Sequence, residues 1–189
     1  MTHVTCSRLT VFFLACASFF SAPFSHAQSW SPLAGEFQGG YVRGLYVPSL
    51  GNNPVGDAWA AVFYGGMFKL AAGSSTWTPM NTGLDNKRVY SFTVAVGTVA
   101  APVSPYRGYA ATLGGGVYKT TDGGANWTAV NNGLGCAYVY AVQFIATATV
   151  PSPGPTASTD RLLASTGCAS TGGVYLSTEV GANWTPTSG

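Results

Sequence analysis

Residues 89–96 read Val-Tyr-Ser-Phe-Thr-Val-Ala-Val, largely apolar and polar side chains in alternation. A period of two marks a strand with one buried face. Short runs of the same chemistry follow at 108–113, 116–121 and 127–131, each set off by glycine-rich punctuation. The succession of four recurs upstream at 42–47, 58–64, 67–70 and 77–81, and downstream at 138–146, 161–166, 174–177 and 184–186. No stretch sustains the 3.6-residue period of a helix, so the pattern predicts an all-β chain.

The last two groups share a sequence unit. Gly115–Thr128 and Gly172–Thr185 are identical at ten of fourteen positions, and both end in Gly-Ala-Asn-Trp-Thr. A worn third copy runs from Gly65 to Thr78, where Lys69, Gly73, Trp77 and Thr78 keep their places. Repeats of about 50 residues, each four strands long, imply a β-propeller. The fold class expected is therefore all-β, a partial propeller of about three four-stranded antiparallel blades. The divisions are 42–81, 82–131 and 132–189. Residues 28–41 precede them as an outer-strand remnant, because Trp30-Ser31-Pro32-Leu33 matches Trp77-Thr78-Pro79-Met80.

Pro- and Gly-bearing insertions at 48–56, 98–107 and 147–160 join the first and second strands of each blade. In a meander the first and third connections share a face. The insertions therefore lie with the Asp-Gly-Gly-Ala-Asn turn, and the inter-blade loops 81–88 and 131–138 lie opposite. Cys136 falls just before the first strand of the last blade and Cys168 just after its second. Antiparallel neighbours bring those two ends together, close enough to bridge. Closing that loop would contribute roughly 3 kcal/mol in a chain-entropy account. Two buried free thiols are the alternative.

Residues 1–27 form a secretory leader in outline. Arg8 precedes an apolar run at 9–20, and Ser25-His26-Ala27 is a small-residue cleavage site before Gln28. The run is too short to span a bilayer, which needs about 20 apolar residues. Export to an oxidising compartment, secreted or periplasmic, favours the disulfide. Both histidines, His3 and His26, belong to the leader. Without histidine a mature chain runs no Ser-His-Asp or Cys-His mechanism and builds no His-ligated zinc site. Of eight Lys and Arg only Arg8 is in the leader, which leaves seven against six Asp and Glu. A balance so near neutral, with no basic stripe, argues against nucleic acid. No cofactor or metal is implied.

Thr120-Thr121-Asp122-Gly123-Gly124-Ala125-Asn126-Trp127 follows the pattern Ser/Thr-x-Asp-x-Gly-x-x-Trp. It resembles the Asp-box, or bacterial neuraminidase repeat, of sialidases, sortilin-type receptor domains, xyloglucanases and photosystem II assembly factors. The stretch from Ser177 to Trp184 is a near copy with Glu179 for the aspartate and Gly181 for the glycine, while 70–77 retains only the tryptophan. In such a turn the carboxylate and hydroxyl accept N–H groups that the reversal leaves unpaired. The glycine supplies positive φ and the tryptophan folds beneath as an apolar plug. Thr120, Asp122, Gly124, Trp127, Ser177, Glu179, Gly181 and Trp184 are thus structural residues, and the resemblance places them on the rim. Asn126 and Asn183 match glycosylation acceptors, but they recur for reasons of fold.

Setting those two carboxylates aside leaves Glu36, Asp57, Asp85 and Asp160. No pair among them presents the flanking geometry of a glycosidase. Sialidase-like chemistry would need an arginine trio, and Arg43, Arg88, Arg107 and Arg161 occupy non-equivalent positions. Tyr90 and Tyr140 recur at matching first-strand sites and point to packing between blades. No catalytic residue is assigned. Three blades do not close a ring, so either the chain is part of a longer propeller or copies assemble to complete one. The expected role is a secreted, non-catalytic scaffold for a protein or glycan ligand. Part of a sialidase- or xyloglucanase-like hydrolase, or a propeller similar to photosystem II assembly factors, are the alternatives.

Overall fold

The computed structural model describes residues 37, 40–47, 56–95, 107–145 and 161–188. The expected leader at 1–27, the remnant at 28–36 and most of each insertion loop lie outside the described residues. Within them the regular structure is β. The first sheet holds β1 (Tyr41–Tyr46), β2 (Ala58–Phe63), β3 (Gly66–Leu70) and β4 (Trp77–Pro79). The second holds β5 (Val89–Ala95), β6 (Arg107–Thr112), β7 (Gly116–Thr120) and β8 (Thr128–Ala129). The third holds β9 (Val139–Ile145), β10 (Arg161–Thr166), β11 (Gly173–Ser177) and β12 (Thr185–Pro186). Each sheet is an antiparallel meander in chain order. The three are blades of a partial β-propeller, as the repeat of four strands predicted.

The fourth strands are shorter than the sequence pattern implies. Trp127 and Trp184 stand outside β8 and β12 because their backbone N–H groups leave the sheet. They donate to Thr82 O and Asn132 O at 2.9 Å each, in the segment that closes the preceding blade. Their indole N–H groups do the same, to Met80 O at 2.9 Å and Val130 O at 2.7 Å. Each tryptophan therefore belongs to the joint between two blades as much as to its own turn.

Apolar layers fill those joints. Between the first and second blades lie Trp59, Ala61, Met67, Leu84, Val89, Ala110, Tyr118 and Trp127. Between the second and third lie Tyr109, Ala111, Val117, Val139, Val142, Leu162, Ala164, Tyr175 and Trp184. Alanines at the centres of β2, β6 and β10 let sheets approach, and the aromatic rings fill the remaining volume at close-packed density. The far side of the first blade carries a smaller layer of Ala60, Val62, Phe68 and Trp77, with Phe37 packed on it 5.2 Å from the Phe68 ring.

Two asparagines lock the inter-blade segments in equivalent ways. Asn81 accepts the Met67 N–H at 2.7 Å and donates to Gly65 O at 3.0 Å. Asn131 accepts the Val117 N–H at 2.7 Å and donates to Gly115 O at 2.9 Å. Each one satisfies backbone groups at the tight turn between the second and third strands, which would otherwise be half-buried without partners.

Candidate functional site

The recurring turn comes first, because it carries most of the residues singled out by sequence. In the second blade the Thr120 Oγ accepts the Gly124 N–H at 2.8 Å and donates to Asp122 at 2.9 Å. Asp122 accepts the Asn126 backbone N–H at 2.9 Å and its side-chain amide at 2.8 Å. Those bonds from Asn126, side chain first, hold the Asp122 carboxyl below its ordinary range. In the third blade Ser177 Oγ accepts the Gly181 N–H at 3.0 Å, and Glu179 accepts the Asn183 amide. The glycines of both turns have positive φ, 92° at Gly124 and 83° at Gly181. The acceptor oxygens are thus engaged in holding the chain reversal.

Cys136 and Cys168 form a disulfide, with Cα atoms 5.9 Å apart. It ties the segment entering β9 to the loop leaving β10. Thr171 reinforces that loop by donating to Gly135 O at 2.7 Å, and its own carbonyl accepts the Tyr175 hydroxyl at 2.8 Å. The bridge lies on the face away from the recurring turns, where β1, β5 and β9 begin.

That face holds an arrangement the sequence did not reveal. Register shifts between Val42 and Gly44 and between Val89 and Ser91 leave Arg43 and Tyr90 as extra residues in their strands. Tyr140 is likewise the extra residue between Val139 and Ala141. A bulge in the same place in each blade re-aims one side chain per blade toward its neighbours. The Tyr140 and Tyr90 rings meet edge to face at 5.4 Å, and Tyr90 meets Phe63 at 6.2 Å. Phe63 in turn meets Tyr64 at 4.4 Å. The result is a line of four rings across three blades. The packing expected of Tyr90 and Tyr140 is present, and it extends further than their spacing implied.

Two cations flank the line. The Arg43 guanidinium lies 4.8 Å from the Tyr90 ring centre and 5.5 Å from that of Phe63. Arg88 lies 5.5 Å from Tyr64, from the residue that bridges to Phe63. Tyr64 is 55% exposed and Tyr140 42% exposed, so the line is open to solvent at both ends. Tyr64 also has φ of 73°, a left-handed conformation costly for a bulky side chain. The equivalent place in the second blade, after the Leu113–Tyr138 bridge that matches Phe63–Arg88, is Gly114. Beside Tyr64 an open groove of about 650 Å³ is lined by Phe68, Trp77, Asn81 and Lys87 among others.

The remaining carboxylates are placed as follows. Asp57 pairs with Lys69 at 2.6 Å and accepts the Ala72 N–H at 3.0 Å. Burial pushes its carboxyl up, but the bonds from Lys69 and Ala72 with the Lys69 charge outweigh that, so it titrates below its ordinary value. Asp85 is exposed on the ring face near Tyr118, whose hydroxyl burial pushes up, with the Asp85 charge adding to the rise. Glu36 and Asp160 lie outside the described residues. Among the described residues no group of three His, Cys, Asp or Glu is placed to hold a metal ion. No helix there is long and apolar enough to cross a membrane.

Solved structures similar to this chain include an ancestral GH74 enzyme, with a TM-score of 0.49 and 21% identity over 85% of this chain and 19% of that one. Another is the GH74 xyloglucanase from Xanthomonas campestris, with a TM-score of 0.37 and 17% identity over 80% of this chain and 31% of that one. The chain thus spans less than a third of the length of either. No protein-family model matches it, and no curated protein does.

Proposed function

We propose that this chain is a secreted, non-catalytic scaffold of Asp-box blades that holds a glycan on the ring-lined face. The single observation that carries this is the line Tyr140, Tyr90, Phe63 and Tyr64, with exposed tyrosines at both ends. Aromatic faces stack on the apolar faces of sugar rings and lose little conformational entropy in doing so. The carboxylates Asp57, Asp122 and Glu179 serve local structure in this account, which leaves binding rather than bond cleavage to the face. A disulfide fits export to an oxidising compartment, as the leader at 1–27 implies.

The blade faces at either end favour assembly with further blades, including those of a second copy. Leu45 and Val47 are 69% and 61% exposed on the first blade, where of their counterparts Phe92 packs in the joint with the first blade and Val94 is buried. On the third blade Val174 is 44% exposed, where Met67 and Val117 are fully buried.

Calorimetric titration with a panel of soluble polysaccharides, run beside a reducing-sugar assay, tests the proposal. Binding without sugar release is the expected outcome. Release of sugar would replace the scaffold with a glycoside hydrolase, and a peptide ligand with no glycan bound would make it a protein-binding module.

A further inference from the structure

We infer that the glycan held on the ring line is a polyuronate, recognised through its carboxylates by Arg43 and Arg88; this rests on the glycan-binding proposal above. Charged residues make up only 7% of the chain, so their placement is informative. Arg43, Lys87 and Arg88 share the ring face, against Asp85 alone among the described carboxylates. The ion pair among the described residues, Lys69 with Asp57, lies elsewhere. Among the described residues neither arginine has a carboxylate within ion-pair distance, and both are exposed. A guanidinium stacked on an aromatic ring keeps its in-plane N–H donors, the fork that matches a carboxylate. Two such forks beside a line of rings suit a ligand that repeats a sugar ring and a carboxylate along one chain.

Tyr64 is the second, independent observation. Gly114 serves the same turn in the second blade, so the turn itself does not need a tyrosine. A bulky residue kept in a left-handed conformation, exposed, with a cation over its ring, is a strained feature at a surface built to contact something. Its removal should leave the fold intact and remove a stacking surface together with the seat of Arg88.

The test uses the full chain and three polymers: polygalacturonate, its fully methyl-esterified form, and a neutral xyloglucan. Methyl esterification removes the charge and keeps the sugar rings. Polygalacturonate should bind at least tenfold tighter than its ester, with affinity falling as salt rises. Arg43→Gln and Arg88→Gln should each weaken it about tenfold, the size of one charge-assisted contact. Tyr64→Gly should weaken it similarly while the melting temperature holds or rises, which separates a lost contact from a lost fold. Equal affinity for acid and ester, or arginine variants that bind as well as the native chain, would overturn the polyuronate and leave glycan binding standing. Failure to bind any of the three polymers would overturn both.

Discussion

The turn at 71–76 and the turn at 121–126 do the same job in adjacent blades with different chemistry. The second uses its own residues: Thr120 and Asp122 accept the N–H groups of Gly124 and Asn126. The first has Leu70 and Ala72 in the corresponding places and can form neither bond. Its N–H groups find other acceptors. Ala72 donates to Asp57, at the start of the neighbouring strand, and Thr76 donates to Ser74 Oγ at 3.1 Å. Ser74 N–H closes the reversal on Ala71 O at 2.9 Å. The worn copy is therefore a substituted turn, with its acceptor supplied from across the sheet. What the repeat preserves is satisfaction of the backbone rather than the residues that provide it.

The glycines sharpen the contrast. Gly73 keeps the place of Gly123, both at positive φ (76° and 73°), whereas Ser74 stands where the second turn has Gly124, φ 92°. Nothing lies within 4 Å of where a Cβ would stand at Gly73, whereas at Gly124 it would lie 2.7 Å from the Trp59 ring of the preceding blade. Tyr109 has the matching relation to the third blade, its hydroxyl donating to Val180 O at 3.2 Å. One turn is shaped by its own backbone, and the other by the blade it leans on.

The largest effect should come from the tryptophans. Trp127→Ala should cost about 3–5 kcal/mol in urea unfolding, because it opens the joint between two blades and frees the Met80 carbonyl. Trp77→Ala, in the smaller layer under Phe37, should cost less. Equal losses would mean that the joint adds nothing beyond burial. Next in size, Gly124→Ala should cost about 2–3 kcal/mol, combining backbone strain with overpacking against Trp59. Gly73→Ala should cost only about 1 kcal/mol, from strain alone. Were the two to match, Trp59 would have room to move.

Smaller again, Asp122→Ala should cost about 1 kcal/mol, comparable to the loss of a helix cap. Asp57→Ala should cost a similar amount in the first blade, where that residue has taken over part of the role. The last prediction concerns pH. Both carboxyls titrate below their ordinary value of 3.8 in the folded chain. Their contribution is present above that value and is lost as pH falls through the lower folded one. Thermal melts should thus show a modest loss of stability below about pH 4, smaller in Asp57→Asn and Asp122→Asn variants. An unchanged acid slope in the double variant would place the acid sensitivity elsewhere.

Much of the fold was legible because its signals are local. Alternation marked the strands, and glycine punctuation marked the turns. Chain parity alone puts Cys136 beside Cys168. The fourth strands were overestimated because the N–H groups of Trp127 and Trp184 turn to the preceding blade, which no local pattern encodes. In the first turn Ser74 accepts the Thr76 N–H within reach of local sequence, whereas Asp57 supplies the other bond from the neighbouring strand. The matching places of Asn81 and Asn131, before Thr82-Gly83-Leu84 and Asn132-Gly133-Leu134, are a sequence signal for the equivalent locks they form.

The candidate site was not legible. Arg43, Arg88, Tyr64, Tyr90 and Tyr140 come from three blades, and as a sequence they are scattered arginines and tyrosines. Only the repeated bulge and the face-to-face packing of sheets bring them into line. By itself the sequence determined strand, turn and repeat, since these depend on side-chain alternation and backbone chemistry within a few residues. Tertiary structure alone decided which rings meet, which arginines stand over them, and why Gly124 must lack a side chain. Those outcomes depend on the distance between sheets, and that distance is set by the whole apolar layer between them.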